Sequence, residues 1–232
     1  FQIPGITFQL CFAGRLLIRL GFVLHGWFRR LTAIQFLGSF TYYGSVSRFL
    51  ASAPMTRLRK NGPPHAVMQL PAAEQINTDI LAQYRAAREH PDLERSHFFA
   101  GRYENIYVPL EQVPALGVML KEARRGAARF LQRPGVELSA GFWFNEMGPG
   151  HVTLPHHHEE DDELVSGVYY VQVPPDSGDL VLGEGDARCC LTPQAGMLVF
   201  FAPTVVHEVT RNNSTGVRLS IGMNFGPPRE AP

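Results

Sequence analysis

Acidic residues are missing from the first 73 positions, and cysteine is scarce throughout. The first absence divides the chain. Residues 1–73 carry eight Lys and Arg and no Asp or Glu, which leaves thirteen basic residues against all 21 acidic ones in the rest, a net of −8 beneath an overall formal charge of zero. A net-negative body lacks the clustered positive surface that nucleic-acid binding requires, so no nucleic-acid partner is expected. Three cysteines, two of them adjacent at Cys189 and Cys190, exclude a disulfide-scaffolded secreted module. No C-x-x-C occurs, and the expected setting is intracellular, either reducing or one where thiols do not matter. Long apolar runs are lacking too. No stretch reaches the roughly 20 apolar residues that span a bilayer, and Arg29-Arg30 interrupts the best one. What is plentiful is hydrophobic residue, at 45% against 18% charged, enough to bury a core and to exclude general disorder.

The acid-free region is a basic amphipathic pattern. Leu16, Leu20, Val23, Trp27 and Leu31 recur at helical spacing, and Arg15, Arg19 and Arg30 share another side. Three readings stay open for residues 1–61: an organelle transit peptide or membrane-surface segment, a helix packed on the main domain, and a gene-model artefact. The first would make the protein organellar, mitochondrial or plastid. The chain opens at Phe1 rather than Met, as a fragment, a processed form or a misassigned start would. Asn61-Gly-Pro-Pro64 is the breaker cluster at which the domain 62–232 is expected to begin.

Within that domain two helices are expected first. Residues 72–90 place Ile76, Ile80, Leu81 and Tyr84 on one face and stop before Pro91; residues 111–132 line up Leu116, Leu120, Ala123, Ala127 and Leu131 before Pro134-Gly135. His97–Pro109 between them is aromatic and reads as extended. After Gly135 the texture changes to short alternating or β-branched runs at 136–146, 164–173, 179–183, 196–202, 205–210 and 216–225, separated by turn residues. The class is therefore mainly β, a sandwich or barrel with flanking N-terminal helices.

Two features of the β region carry chemistry. The first is a histidine constellation: His156-His157-His158, with His207 further on. Side chains at i and i+2 of a strand share a face, so His156 and His158 point together and His157 points away. A His-x-His pair with a distant third His is a facial metal pattern, suited to iron, zinc, copper or nickel. Three ligands on one side leave positions open, as catalytic metals require. His151 follows a Gly-Pro-Gly turn and has a weaker claim; His25, His65, His90 and His97 are isolated. The second feature is the last strand, where Arg218, Ser220, Gly222 and Asn224 alternate with Val217, Leu219, Ile221 and Met223. A buried strand face bearing Arg-x-Ser is costly unless an anion sits there. The guanidinium fork fits a carboxylate, and Ser220 can add a hydrogen bond. An exposed edge-strand Arg paired with a surface acid is the competing reading.

Four stretches together resemble the 2OG-Fe(II) oxygenase family, related to prolyl hydroxylases. They are Trp143-Phe-Asn-Glu-Met-Gly-Pro-Gly150; His156-His-His158; Ser166-Gly-Val-Tyr-Tyr-Val171 with Pro174 and Ser177-Gly178; and Gly196-Met-Leu-Val-Phe-Phe-Ala-Pro203 through His207 to Arg218–Phe225. The resemblance covers about residues 136–226 and implies a double-stranded β-helix, a jelly-roll, cupin-like barrel. It implies Fe(II) at His156, His158 and His207, and 2-oxoglutarate at Arg218 and Ser220. It further implies O2 as co-reactant and hydroxylation of an unidentified protein or small-molecule substrate, with release of succinate and CO2. Asn145, Tyr169, Tyr170 and Asn224 become candidates for the pocket wall, with only one of the two tyrosines facing in. The chain departs from the wider pattern at one point, where a carboxylate usually stands second in His-x-Asp or His-x-Glu. Glu159 and Glu160 offer shifted His-x-Glu readings, and the run Glu159–Glu163 reads equally as a solvated loop or a guide for a basic substrate. Two other functions stay open: a three-His cupin-type dioxygenase that does not use 2-oxoglutarate, and a non-catalytic metal-binding barrel that engages a partner.

Overall fold

A computed structural model describes residues 54–58, 62–158 and 162–228. The amphipathic leader and the candidate ligands Glu159 and Glu160 lie outside the described residues. Two strands come first, β1 (Met55–Leu58) and β2 (His65–Gln69), followed by helix α1 (Ala73–Ala87). A hairpin, β3 (Glu94–Phe99) and β4 (Arg102–Tyr107), leads to α2 (Leu116–Phe130). Eight strands complete the chain: β5 (Ser139–Met147), β6 (Thr153–His156), β7 (Val165–Gln172), β8 (Leu180–Leu182), β9 (Cys189–Leu191), β10 (Met197–Phe201), β11 (His207–Val209) and β12 (Arg218–Gly226). Among the described residues no helix is long and apolar enough to cross a membrane.

The strands form two antiparallel sheets, a large one in the order β1-β2-β10-β7-β12-β5-β4-β3 and a small one in the order β6-β11-β8-β9. The last eight strands of the chain pass back and forth between the sheets, with only β8 and β9 following one another in the small sheet, in the winding of a double-stranded β-helix, as expected. Two expectations shift. β1 pairs residue by residue with β2, from Met55↔Met68 to Leu58↔His65, so the sheet extends to the N-terminal side of Asn61–Pro64. The second helix starts at Leu116, five residues later than its apolar spacing suggested, because Pro109 to Ala115 forms successive tight turns.

Each face of the large sheet has its own core. On one face α1 and α2 pack over Leu198, Phe200, Tyr169, Ile221 and Phe225, burying Ile76, Ile80 and Tyr84 from α1 and Leu116, Met119, Leu120, Ala123 and Ala127 from α2. α2 lies close to β10 because Gly126 has no side chain: a Cβ there would fall 2.4 Å from the Phe200 ring. On the other face Tyr170, Val199 and Phe201 meet Leu180 and Leu182 of the small sheet. Strand periodicity does the sorting. Along β12, Leu219, Ile221 and Phe225 go to the helices, while Arg218, Ser220, Gly222 and Asn224 go to the space between the sheets. That space narrows to a cavity of about 70 Å³.

Candidate metal and anion site

The cavity floor is a polar grid laid out by strand register. Ser220 of β12 pairs with Tyr170 on one side and Asn145 of β5 on the other. The next position towards the C-terminus sets Gly222 between Val168 and Trp143, and the one after pairs Asn224 with Ser166. Arg218 stands at the opposite end of β12. Gly222 is required by its neighbour, since a Cβ there would meet the Trp143 indole at 2.5 Å.

The roof carries the histidines. β11 pairs with β6 so that His207 stands opposite His156. β6 ends at His156, so His158 comes from the segment beyond the strand rather than from the strand itself; its backbone N–H donates to Pro203 O at 2.9 Å. The i, i+2 relation nevertheless holds in effect. One ring nitrogen from each of His156, His158 and His207 lies within 4.8 Å of the others. His157 does not line the cavity. Nδ1 of His156 lies 2.9 Å from Leu154 O and Nδ1 of His207 lies 2.9 Å from Val205 O. A carbonyl can only accept, so both Nδ1 atoms carry the proton and both Nε2 atoms present a lone pair. Burial, together with the neighbouring His156 ring, lowers the His158 pKa to about 4 and that of His207 to about 3. These imidazoles are neutral near pH 7, the form that binds a metal.

Arg218 is only 1% exposed. One guanidinium nitrogen donates to Gly178 O at 2.9 Å, and the group's carbon lies 4.9 Å over the Tyr170 ring. No ion pair joins Arg218 to a carboxylate among the described residues, and its Nε is buried without a hydrogen-bond partner. The Tyr170 hydroxyl beside it is likewise buried and has no acceptor for its proton among the described residues, and burial raises its pKa so that it stays a donor. A desolvated cation and an orphaned hydroxyl side by side fit an anion that accepts from both.

Most of the sequence candidates meet here. His156, His158, His207, Arg218, Ser220, Asn145, Tyr170 and Asn224 all line the one cavity. Tyr169 does not: it points to the helical face, where its hydroxyl donates to Asn77 Oδ1 at 2.6 Å. Asn224 accepts from Ser166 and donates to Glu163. Sequence reading missed Trp143, whose ring centroid lies 5.8 Å from that of His158. It also missed Arg102 and Glu104 of β4, an ion pair at 2.7 Å held against Thr153 and Asn145. The signal was present, because Arg102-x-Glu104 in an extended run puts both on one face by the same logic as Arg218-x-Ser220.

Residues 142–226 match the family model of the 2OG-Fe(II) oxygenase superfamily. No curated protein sequence matches the chain. Among solved structures, the non-heme alpha ketoglutarate dependent carbocyclase SnoK from nogalamycin biosynthesis is 17% identical, with a TM-score of 0.57 over 81% of this chain and 85% of that one. The epimerase SnoN, in complex with Fe3+, alpha ketoglutarate and nogalamycin RO, is 18% identical, with a TM-score of 0.53 over 70% and 78%. A prolyl hydroxylase from Trichoplax adhaerens, in complex with a hypoxia inducible factor peptide fragment, is 14% identical, with a TM-score of 0.51 over 78% and 87%. These likenesses are of fold. It is residues 142–226, within the barrel, that match the 2OG-Fe(II) oxygenase superfamily, and that match implies Fe(II), 2-oxoglutarate and O2.

Proposed function

We propose that the protein is an Fe(II)- and 2-oxoglutarate-dependent dioxygenase that hydroxylates a protein or small-molecule substrate and releases succinate and CO2. One observation carries this reading: three imidazoles and a buried guanidinium without a carboxylate partner among the described residues line the same cavity. His156, His158 and His207 would hold the iron, and the residues present fit it, since all three bring a ring nitrogen to one side of the cavity. When bound, iron and 2-oxoglutarate supply the oxidising chemistry for O2 activation.

The chain's own residues do the rest. Arg218 neutralises the carboxylate of 2-oxoglutarate remote from the keto group, and its charge counts for more because the side chain is buried. Tyr170 and Ser220 donate hydrogen bonds to the same end. Gly178 O accepts a hydrogen bond from one guanidinium N–H and so fixes which edge of the fork faces the cosubstrate. The backbone carbonyls of Leu154 and Val205 hold two histidine rings in the metal-binding tautomer. Trp143, over Gly222, walls the side of the cavity nearest His158. Solved structures of this fold are named with a peptide in one case and a nogalamycin compound in another, which leaves both substrate classes in play.

The all-histidine set favours a second reading, a three-His cupin-type dioxygenase without 2-oxoglutarate, and succinate formation separates the two. Native protein given Fe(II), O2 and 2-oxoglutarate should release succinate slowly without substrate. Arg218→Ala and His207→Ala should release none above the iron-only background. Succinate yield unchanged in Arg218→Ala would overturn the assignment of the cosubstrate site.

A further inference from the structure

We propose that Asn145, aimed by Arg102, donates an amide N–H to 2-oxoglutarate. The inference rests on the reading of the cavity given above and adds a binding group and a positioning group to it.

Arg102 is 9% exposed, and its guanidinium is clamped. Nη2 donates to Glu104 at 2.7 Å, to Val152 O at 3.1 Å and to the Thr153 hydroxyl at 3.3 Å, while Thr153 itself donates to Glu104 at 2.9 Å. A side chain held at that many points has little freedom left. Of its other two nitrogens, Nε has no hydrogen-bond partner among the described residues and Nη1 lies 3.4 Å from Asn145 Oδ1. Arginine has donors only, so the atom of Asn145 that faces it must be the carbonyl oxygen. The amide is planar, and Nδ2 is turned away from Arg102. Among the described residues Nδ2 has no acceptor, although Asn145 lines the cavity.

What it faces follows from register. Asn145 is the direct neighbour of Ser220 in the sheet, as Tyr170 is on the other side. Hydroxyl, hydroxyl and amide thus form one row across three strands, beside Arg218. Each of the three can donate towards the same space, and a dicarboxylate is the ligand with acceptors to spare.

The test reverses sign between two variants. Asn145→Asp keeps an oxygen for Arg102, and strengthens that contact, but puts a carboxylate oxygen where the N–H stood. Asn145→Ala removes both. A purely structural role makes alanine the worse variant; a donor role makes aspartate the worse one. The full chain would be titrated anaerobically with Fe(II) and then 2-oxoglutarate, following the visible charge-transfer band, with thermal unfolding of each variant alongside. We expect Fe(II) affinity and unfolding midpoint to hold in Asn145→Asp. Its 2-oxoglutarate affinity should fall about tenfold or more, further than that of Asn145→Ala. Arg102→Gln should weaken 2-oxoglutarate severalfold at unchanged iron affinity, because the amide is then free to turn over. Native-like 2-oxoglutarate affinity in both Asn145 variants, or alanine worse than aspartate, would overturn the proposal alone. A native protein that binds iron but no 2-oxoglutarate would overturn the cavity reading and this proposal with it.

Discussion

Tyr170 and Arg218 share a disadvantage in the unliganded protein. Each has a polar atom that has lost water and gained nothing in return. An unmade hydrogen bond of this kind costs about 1–3 kcal/mol. Tyr170→Phe removes the orphaned hydroxyl and keeps the ring, so it should leave stability equal or slightly higher while weakening 2-oxoglutarate about tenfold. Thermal unfolding and a cosubstrate titration on the same variant check both halves; a loss of stability with full affinity would mean the hydroxyl serves the fold. This residue also marks a limit of sequence reading. Alternation states that one of Tyr169 and Tyr170 faces the cavity, and it cannot state which. The phase is set by tertiary contacts, in which Asn77 of α1 takes the Tyr169 hydroxyl and Arg218 lies over the Tyr170 ring. Arg218 was legible because a charge at i, i+2 spacing with Ser220 has few other uses on a buried strand, and the histidines because three such side chains at this spacing and distance suit a metal.

Legibility varied among the elements with their place in the sheets. β5, β7, β10 and β12 are long or buried on both faces, and their alternation announced them. β6 and β9 are edge strands of the small sheet and β1 is an edge of the large one. An edge strand needs only one partner, so β6 tolerates Pro155 and β9 is a mere three residues, neither of which resembles a strand in isolation. The helices follow the opposite logic, since their apolar spacing was clear and only their ends shifted, to Ala73–Ala87 and Leu116–Phe130. α2 is fixed to the sheet by the contact of Gly126 with Phe200. Gly126→Ala improves helix propensity yet forces a methyl into that ring, and overpacking costs about 1–3 kcal/mol. Chemical denaturation should show a net loss of stability with iron affinity preserved, because α2 lies on the face of the large sheet away from the cavity. A gain in stability would show that Phe200 can move aside.

At the scale of the whole molecule, the buried imidazoles link the site to pH. In the unfolded chain His158 and His207 titrate near the ordinary value of about 6.5. In the folded, metal-free protein burial holds His158 at about 4 and His207 at about 3. The folded state therefore binds fewer protons than the unfolded state between those values. The stability this represents is complete above about pH 6.5 and is lost as pH falls towards 3. For a ring as buried as His207 the slope is at most about 1.4 kcal/mol per pH unit. Denaturation of metal-free protein from pH 7.5 to 5 should show that decline, and His207→Phe should flatten it. An unchanged slope in the variant would place the titrating groups elsewhere. The same low pKa values keep two of the three nitrogen ligands available to a metal in mildly acidic solution.

The two sheets bring together a histidine triad and a cation unpaired among the described residues, from four separate strands and segments, and the account stands on their acting as one site. The most direct test is an anaerobic titration of the full chain with Fe(II) followed by 2-oxoglutarate, reading the visible charge-transfer band. The account predicts a saturable band in native protein. His207→Ala should lose it together with iron binding, whereas Arg218→Ala should keep the iron and lose the band. Tight iron binding with no band in folded native protein would contradict the joint site and leave the three histidines as a metal centre of another kind.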